Sequence, residues 1–197
     1  MKKYLIPIII VSLVGIGIFI RYQILAPARA AAFNLEAING LTVGQTSEAE
    51  LLGRTAFQTI DRECSNTDCS YQMVTENKLL SRLHLAPATH MATVVFVREG
   101  MVSGVLVFTM KTGQPAISFR QVEKIPSDCN STPCVKRLVL PNKELMGISI
   151  LFNGDSAMRN HMPEVVNSDC FSRLHGCKSS EEFLPYTKNL NLEAAAH

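Results

Sequence analysis

The chain has little charge for its length. Of its 197 residues, 18% are charged and 47% are apolar, and there is no tryptophan. Such a high apolar fraction excludes a disordered chain. The length is sufficient to bury the core of one domain or of two small ones.

The greater part of the chain also lacks a basic excess. The formal net charge is +2, but residues 1–30 contain four basic residues and no acidic ones. The remainder has 15 basic against 17 acidic residues. Because binding to phosphates requires a basic face, this balance argues against a nucleic-acid-binding domain.

Motifs for catalysis and metal binding are missing as well. There is no glycine-rich phosphate loop and no H-E-x-x-H motif. Cys170, His175 and Cys177, with His161, are residue types that bind zinc, but their spacing matches no zinc pattern. We therefore expect no enzyme activity, no cofactor and no metal. The five histidines are His84, His90, His161, His175 and His197.

One hydrolase pattern is present in part. Residues 148–156 read I-S-I-L-F-N-G-D-S, which resembles the nucleophile block of GDSL-type hydrolases. The resemblance implies Ser156 as the nucleophile, with His161 or His175 as the base. However, the D-x-x-H of that family is missing, and a turn in which Asp155 or Ser156 caps a helix is the alternative.

The most apolar part of the chain is its beginning. Lys2 and Lys3 precede an uncharged run at 4–20, which as a helix reaches about 25 Å, slightly less than a bilayer core. Continuation to Leu25 completes a membrane span, with Arg21 extending to the interface. The two lysines predict that the N-terminus lies inside and the rest of the chain outside.

Cleavage of this segment is the competing interpretation. The sequence Ala28-Arg29-Ala30 fits the A-x-A rule, with a cut after Ala30. No cysteine follows the apolar run, which excludes a lipoprotein anchor. The expected location is the bacterial inner membrane with a periplasmic domain, or the periplasm or medium after cleavage. The expected division is a signal anchor or transmembrane helix at 1–25 (or a cleaved signal to 30), a linker at 26–40, an extracytoplasmic α+β domain at 41–190 and a tail at 191–197.

The six cysteines fall in three close pairs. An even number of cysteines in an exported chain indicates disulfides, although six cysteines allow 15 connectivities. We expect pairing within each close pair, because the pairs bracket short polar loops. The pairs are Cys64/Cys69, Cys129/Cys134 and Cys170/Cys177.

The first two pairs lie in a repeated pattern. I-x-x-acid-C-x4-C-x3-apolar-V occurs at residues 60–74 and again at 125–139. A duplication with two similar lobes is one explanation. A local device used twice, a disulfide-closed turn followed by a strand, is the other. The remaining sequence of the two halves does not align, which favours the local device.

The body contains short helices and strands. Ser47 and Glu50 form an S-x-x-E capping box at the start of a helix in which Leu52, Ala56 and Ile60 form a core-facing stripe and Gly53 allows a break. Residues 92–98 and 101–110 are rich in valine and phenylalanine around Glu99-Gly100, which predicts a tight hairpin. Residues 71–85 fit neither a helical nor a strand period.

Further strands are expected at 116–124, 135–140 and 147–152. Five strands joined by short turns indicate an antiparallel meander. The expected fold class is α+β, with an N-terminal membrane helix and then an early helix packed on an antiparallel meander sheet that is closed locally by disulfides.

Residues 40–53, G-L-T-V-G-Q-T-S-E-A-E-L-L-G, resemble the opening of small bacterial envelope proteins. They are similar to the SmpA/OmlA (BamE) family and to the related β-lactamase-inhibitor-protein-like fold. The resemblance implies a non-catalytic, protein-binding module in the cell envelope, and we carry over no binding residue from it.

The function expected from the sequence is that of a membrane-anchored or secreted envelope protein that binds another protein. An inhibitor or immunity-type protein is the more specific form of this hypothesis, and an exported serine hydrolase using Ser156 is the alternative. Rigid loops lose less entropy on binding, so contacts are expected at the two closed loops. The residues are Asn66, Thr67, Ser131 and Thr132. The expected partners are an envelope or secreted protein and, through the N-terminal helix, the membrane.

Overall fold

The computed structural model describes residues 2–57, 60–112, 116–122, 124, 127, 129, 134–139, 145–153, 167–173 and 176–185. The α-helices in these residues are α1 (Lys2–Ile38), α2 (Glu48–Gly53), α3 (Lys78–Arg82) and α4 (Ser180–Phe183). Short 3-10 helices occupy Thr55–Phe57 and Ser168–Ser172. The strands are β1 (Asp61–Ser65), β2 (Asp68–Glu76), β3 (Thr89–Arg98), β4 (Met101–Lys111), β5 (Ala116–Val122), β6 (Cys134–Val139) and β7 (Leu145–Asn153).

The strands form one mixed sheet in the order β1-β2-β3-β4-β5-β7-β6. From β1 to β5, each strand pairs antiparallel with the next, as a meander requires. β7 instead lies between β5 and β6, parallel to the first and antiparallel to the second. The sheet therefore differs from an entirely antiparallel one. Among the described strands only β5 and β7 pair without being consecutive in the sequence, and no local pattern records that choice.

Gly147 permits the close approach of β7 to β5. A Cβ atom at this position would lie 2.8 Å from the carbonyl oxygen of Ala116. Any side chain here would force the two parallel strands apart, so the absence of a side chain is required by the pairing.

The β3–β4 hairpin is confirmed at the predicted turn. Glu99 and Gly100 have φ angles of 51° and 77°, as the two central residues of a type I′ turn require. The alternation expected in β5 is also present, with Ile117, Phe119 and Gln121 buried.

Helix α1 differs from the expected linker at 26–40. The helix continues to Ile38, and Ala31, Leu35 and Ile38 are 0%, 3% and 4% exposed. Their spacing of four and three residues places them on one face of the helix. Alanine is also the strongest helix former, so an alanine-rich stretch that resembles a stalk in the sequence is a helix that joins the core.

The end of α1 is held by Arg54, the residue that follows α2. Arg54 Nη1 donates to the backbone oxygens of Ala37 and Asn39 at 3.0 and 2.7 Å. A cation at the carboxyl end of a helix also complements the helix dipole. The two helices are thereby joined in a fixed arrangement.

The segment that carries the family resemblance packs against the tip of the β3–β4 hairpin. Leu41 and Val43 are buried. Gly44, with φ of 78°, donates its N–H to the Val102 oxygen at 2.7 Å. Thr46 Oγ1 accepts a hydrogen bond from the Thr42 N–H at 2.7 Å. The V-G-x-T sequence thus forms a turn that pairs with the hairpin.

The early helix begins at the predicted capping box but is shorter than the stripe of Leu52, Ala56 and Ile60 indicates, since it ends at Gly53 and leaves Leu52 36% exposed. The N–H of Glu50 donates to Ser47 Oγ at 3.2 Å, and α2 ends at Gly53. Leu51 is fully buried. The ambiguous residues 71–85 contain most of β2, which is buried on alternate residues, and α3, which is only five residues long.

The core lies on one face of the sheet. The second half of α1, the 3-10 helix Ser168–Ser172 and α4 cover this face. The opposite face of β2, β3, β4 and β5 is here called the open face. Large buried core side chains are Leu35, Leu51, Tyr71, Met91, Phe119, Ile150, Phe152, Phe171 and Phe183.

Candidate functional site

The open face retains apolar side chains near solvent. Val74 and Met110 are 52% and 48% exposed. Phe96, Leu106 and Phe108, which share this face with them, are half-buried. These residues alternate along the strands with the core residues, so the sheet has apolar side chains on both faces.

The open face deepens into a groove of about 840 Å³ beside the β1–β2 and β3–β4 turns. Arg98 Nε lies 3.5 Å from Asp68 Oδ1. The guanidinium of Arg120 lies 5.5 Å from the ring centre of Phe96, a cation–π geometry. The groove therefore has charges of both signs around an aromatic surface. Its charged residues are Glu63, Asp68, Arg98, Glu99, Arg120 and Lys124.

The first predicted contact loop lies at the rim of this groove. Asn66 and Thr67 form the tip of the β1–β2 hairpin, where Asn66 has a φ of 56°. The oxygen of Thr67 accepts a hydrogen bond from the Glu99 N–H at 3.2 Å, which joins the two hairpin tips. Ser131 and Thr132 of the second predicted loop lie outside the described residues.

All three predicted disulfides are confirmed. Cys64 and Cys69 are directly opposite in the β1–β2 ladder, with Cα atoms 4.1 Å apart. A bond across the hairpin two residues from its turn fixes the rim of the groove. The other disulfides are Cys129–Cys134 and Cys170–Cys177.

In both copies of the repeated pattern, the second cysteine lies in a strand. Cys69 is in β2, near one edge of the sheet, and Cys134 begins β6, at the other edge. The strand that follows the disulfide is therefore common to both copies.

A polar cluster around the buried Tyr71 supports the closed hairpin from the core side. Tyr71 is 1% exposed and its hydroxyl donates to Glu48 Oε1, which also lies 2.8 Å from Arg62 Nη2. Burial and the hydrogen bond to Glu48 raise the pKa of Tyr71 to about 12. The cluster joins α2 to β1 and β2, and we assign it a structural role.

The third disulfide lies on the opposite side of the sheet from the groove. Cys170 and Cys177 are buried beside Phe171, whose ring packs edge-on against Phe183 at 5.2 Å. Lys111 of β4 donates to the backbone oxygen of residue 178, and burial lowers the pKa of its amine. This arrangement attaches the disulfide loop to the core face.

The residues of the hydrolase alternative are not placed. Ser156, His161 and His175 lie outside the described residues, as does His197, which has no role in that alternative. Within the part of the chain that the structure describes, no group of three His, Cys, Asp or Glu side chains is arranged to hold a metal. Cys170 and Cys177 are joined in a disulfide, so their thiolates are not free ligands.

Sequence reasoning found the rim of the groove and missed the groove itself. The available signal was Arg120, a charged residue on the solvent side of a strand pattern. No pattern indicated that Arg120, Asp68 and Phe96 meet, because they belong to three different strands.

Comparison with known proteins gives no relative. The chain matches no protein-family model, no curated protein and no solved structure. The resemblance of residues 40–53 to envelope proteins therefore stays a prediction.

Proposed function

We propose that this protein is a membrane-anchored module of the bacterial cell envelope that binds another protein through the open face and its groove. The observation that carries the proposal is the pairing of half-exposed apolar side chains with a groove of mixed charge. Phe96, Met101 and Val122, which are half-buried in the lining of the groove, would give up solvent contact in a complex, while Arg98, Arg120 and Glu63 would set its orientation.

The rigid rim favours binding over catalysis. Cys64–Cys69 closes the hairpin at Asn66 and Thr67, and Thr67 is hydrogen-bonded to the second turn. A surface already fixed in shape loses less conformational entropy when a partner docks. An exported toxin or hydrolase that the module inhibits is the specific form of partner that we propose.

The N-terminal helix supports export and anchoring. In the part of the chain that the structure describes, the segment Pro7–Ile38 of α1 is long and apolar enough to cross a membrane, with a mean hydropathy of 2.2 in its most apolar window. As a signal sequence or an anchor it leads the body out of the cytoplasm, and disulfides form in oxidising compartments. We favour the anchor, because α1 continues without a break from the apolar run into the core.

Site-specific photocrosslinking of the full-length protein in cells tests the binding proposal. A photoreactive amino acid replaces Thr67 at the rim or Arg120 in the groove, and Glu181, exposed on α4, is the matched control. We expect a discrete crosslinked protein from the first two positions and none from Glu181.

Loss of the crosslinked product in a groove variant gives the second criterion. The crosslink from position 67 should disappear when Arg120→Glu reverses the charge in the groove. No discrete product from either groove position, or the same products from Glu181, would contradict the proposal.

A further inference from the structure

The position of the body relative to the membrane follows from α1. The large apolar side chains between Ile8 and Tyr22 are 44–71% exposed. Residues 23–28, in contrast, are half-buried against the body. Gln23 is less than one helical turn, about 5 Å, beyond the uncharged run that ends at Ile20. No flexible segment separates the span from the body, so the first part of the body that meets α1 lies at the bilayer surface.

That part of the body is the corner between β2 and α3. Gln23, Ala26 and Ala30 line a shallow depression together with Val74 and Leu79. Further along α1, Asn34 Nδ2 donates to Thr75 Oγ1 at 3.1 Å, which fixes the register between helix and strand. The carboxyl end of β2 and the first residues of α3, Lys78 and Leu79, therefore flank the membrane-proximal part of the helix.

The groove lies at the other end of the same strand. β2 runs from Asp68, at the groove, to Glu76, beside α3. Eight residue steps in a strand span about 26 Å. The body thus has a membrane-proximal end at α3 and a membrane-distal end at the groove.

The membrane-proximal end carries the chemistry of a lipid contact. Leu83 and Leu85, which follow α3, are 55% and 43% exposed. The Lys78 side chain is 72% exposed, and Arg82 is exposed as well. From residue 77 to residue 98 the sequence has no aspartate or glutamate, so no acidic group of this segment repels an anionic surface.

Glu76, the acidic residue that precedes this segment, already has two partners. Glu76 lies 3.3 Å from Lys78 Nζ and 3.2 Å from His90 Nδ1. On α1 itself, the groups at this level are Arg21, Tyr22 and Arg29, with the Arg29 guanidinium 5.5 Å from the ring centre of Tyr22. Cations and a tyrosine are the groups that anchor proteins at the headgroup level.

The exposed leucines are held in place and do not belong to a loose loop. Leu80 of α3 is 2% exposed and anchors the helix in the body. Asn77, which is also buried, accepts a hydrogen bond from the Thr89 N–H at 2.9 Å and donates to the Pro87 oxygen at 3.0 Å. The side chains of Leu83 and Leu85 therefore project from a fixed turn.

We infer that residues 78–85 rest on the surface of the bilayer that α1 crosses, with Leu83 and Leu85 in the headgroup region and Arg82 on lipid phosphates, while Lys78 pairs with Glu76. This inference depends on the anchoring part of the proposed function. The contact gives the body two attachments to the membrane and holds the groove away from the lipid. Combined apolar burial and attraction to anionic lipids is what binds proteins at this depth.

Tryptophan fluorescence tests the contact without background, because the chain has no tryptophan. Full-length Leu83→Trp and Leu85→Trp are reconstituted in vesicles of phosphatidylcholine and phosphatidylglycerol that contain lipids brominated in the upper acyl chain. Thr67→Trp is the membrane-distal control and Phe19→Trp, in the apolar run, is the spanning control.

We expect Leu83→Trp and Leu85→Trp to lose about half of their emission to the brominated lipid, with a blue shift relative to Thr67→Trp, since an interfacial side chain lies within reach of the quencher. Adding Arg82→Gln should reduce this quenching, whereas Arg98→Gln at the distal end should not. Quenching that is unaffected by Arg82→Gln would overturn the phosphate contact.

Two failures are distinguishable. If the tryptophans at 83 and 85 are quenched no more than the one at 67, while Phe19→Trp is quenched by lipids brominated near the chain end, the surface contact is wrong and the anchor stands. If Phe19→Trp is not quenched either, the anchor is refuted together with the contact.

Discussion

The buried face of α1 gives the most direct quantitative test of the fold. Leu35 is 3% exposed and packs in the core with Ala31 and Ile38. Truncation of a buried leucine to alanine removes apolar contact and leaves a cavity, at a cost of about 2–5 kcal/mol in measured cases. We expect Leu35→Ala to lower the free energy of unfolding by about 3 kcal/mol.

Phe33 provides a matched control in the same helix. Its side chain is 52% exposed, and exposed positions usually change stability by less than about 0.5 kcal/mol. Phe33→Ala removes a larger side chain than Leu35→Ala does, so a smaller effect at Phe33 would reflect burial alone.

The measurement is urea unfolding of the full-length chain in detergent micelles with the disulfides intact. Near-ultraviolet circular dichroism follows the buried aromatic side chains, including Tyr71, and reports on the body because the apolar half of α1 keeps its helix in the micelle. Equal midpoints for Leu35→Ala and Phe33→Ala would show that the second half of α1 does not belong to the core. The linker expected from the sequence would then be correct.

Two other predictions concern single side chains in the body. Gly147→Ala should lower stability by about 1–3 kcal/mol, because its Cβ would meet the Ala116 oxygen at 2.8 Å. Gly53→Ala, where nothing lies within 4 Å, should be neutral or stabilising, and equal thermal midpoints for the two variants would contradict the close β5–β7 approach. For Tyr71, the pKa of about 12 in the folded state exceeds its ordinary value of 10.0. Since the unfolded chain loses this proton first, stability should fall between about pH 10 and 12. An ultraviolet titration should show one late-ionising phenol that disappears in Tyr71→Phe, and its persistence in that variant would refute the assignment.

Several local features of the structure could be predicted from the sequence, because they depend on the chemistry of neighbouring residues. A two-residue hairpin turn requires positive φ angles, which Gly100 adopts easily, so Glu99-Gly100 between strand formers predicts such a turn. Ser47 marks the start of α2 because its hydroxyl accepts a hydrogen bond from an N–H of the first turn. Gly53 marks its end because glycine is a poor helix former. The close cysteine pairs need no distant partner, and the short loops that they bracket favour local bonds.

Contacts between segments that are distant in the chain could not be predicted from the sequence. The sequence of β7 is compatible with either an edge position or a central one, and Gly147 has a meaning only once Ala116 is opposite it. The alanine-rich residues before Ile38 suit a solvated stalk as well as a packed helix, since alanine is a good helix former in both settings. The body, by covering one face of the helix, decides between them.

The sequence by itself determined the apolar helix, the low and divided charge, the three local disulfides and the α+β class, because each depends on residues that are near one another in the chain. Only the tertiary structure decided that α1 enters the core and that β5 and β7 are parallel. It also brought Asp68, Phe96 and Arg120 together in one groove and placed the start of α3 beside α1, where that helix first contacts the body. These are contacts between distant segments, and packing selects them from many arrangements that the same local patterns allow.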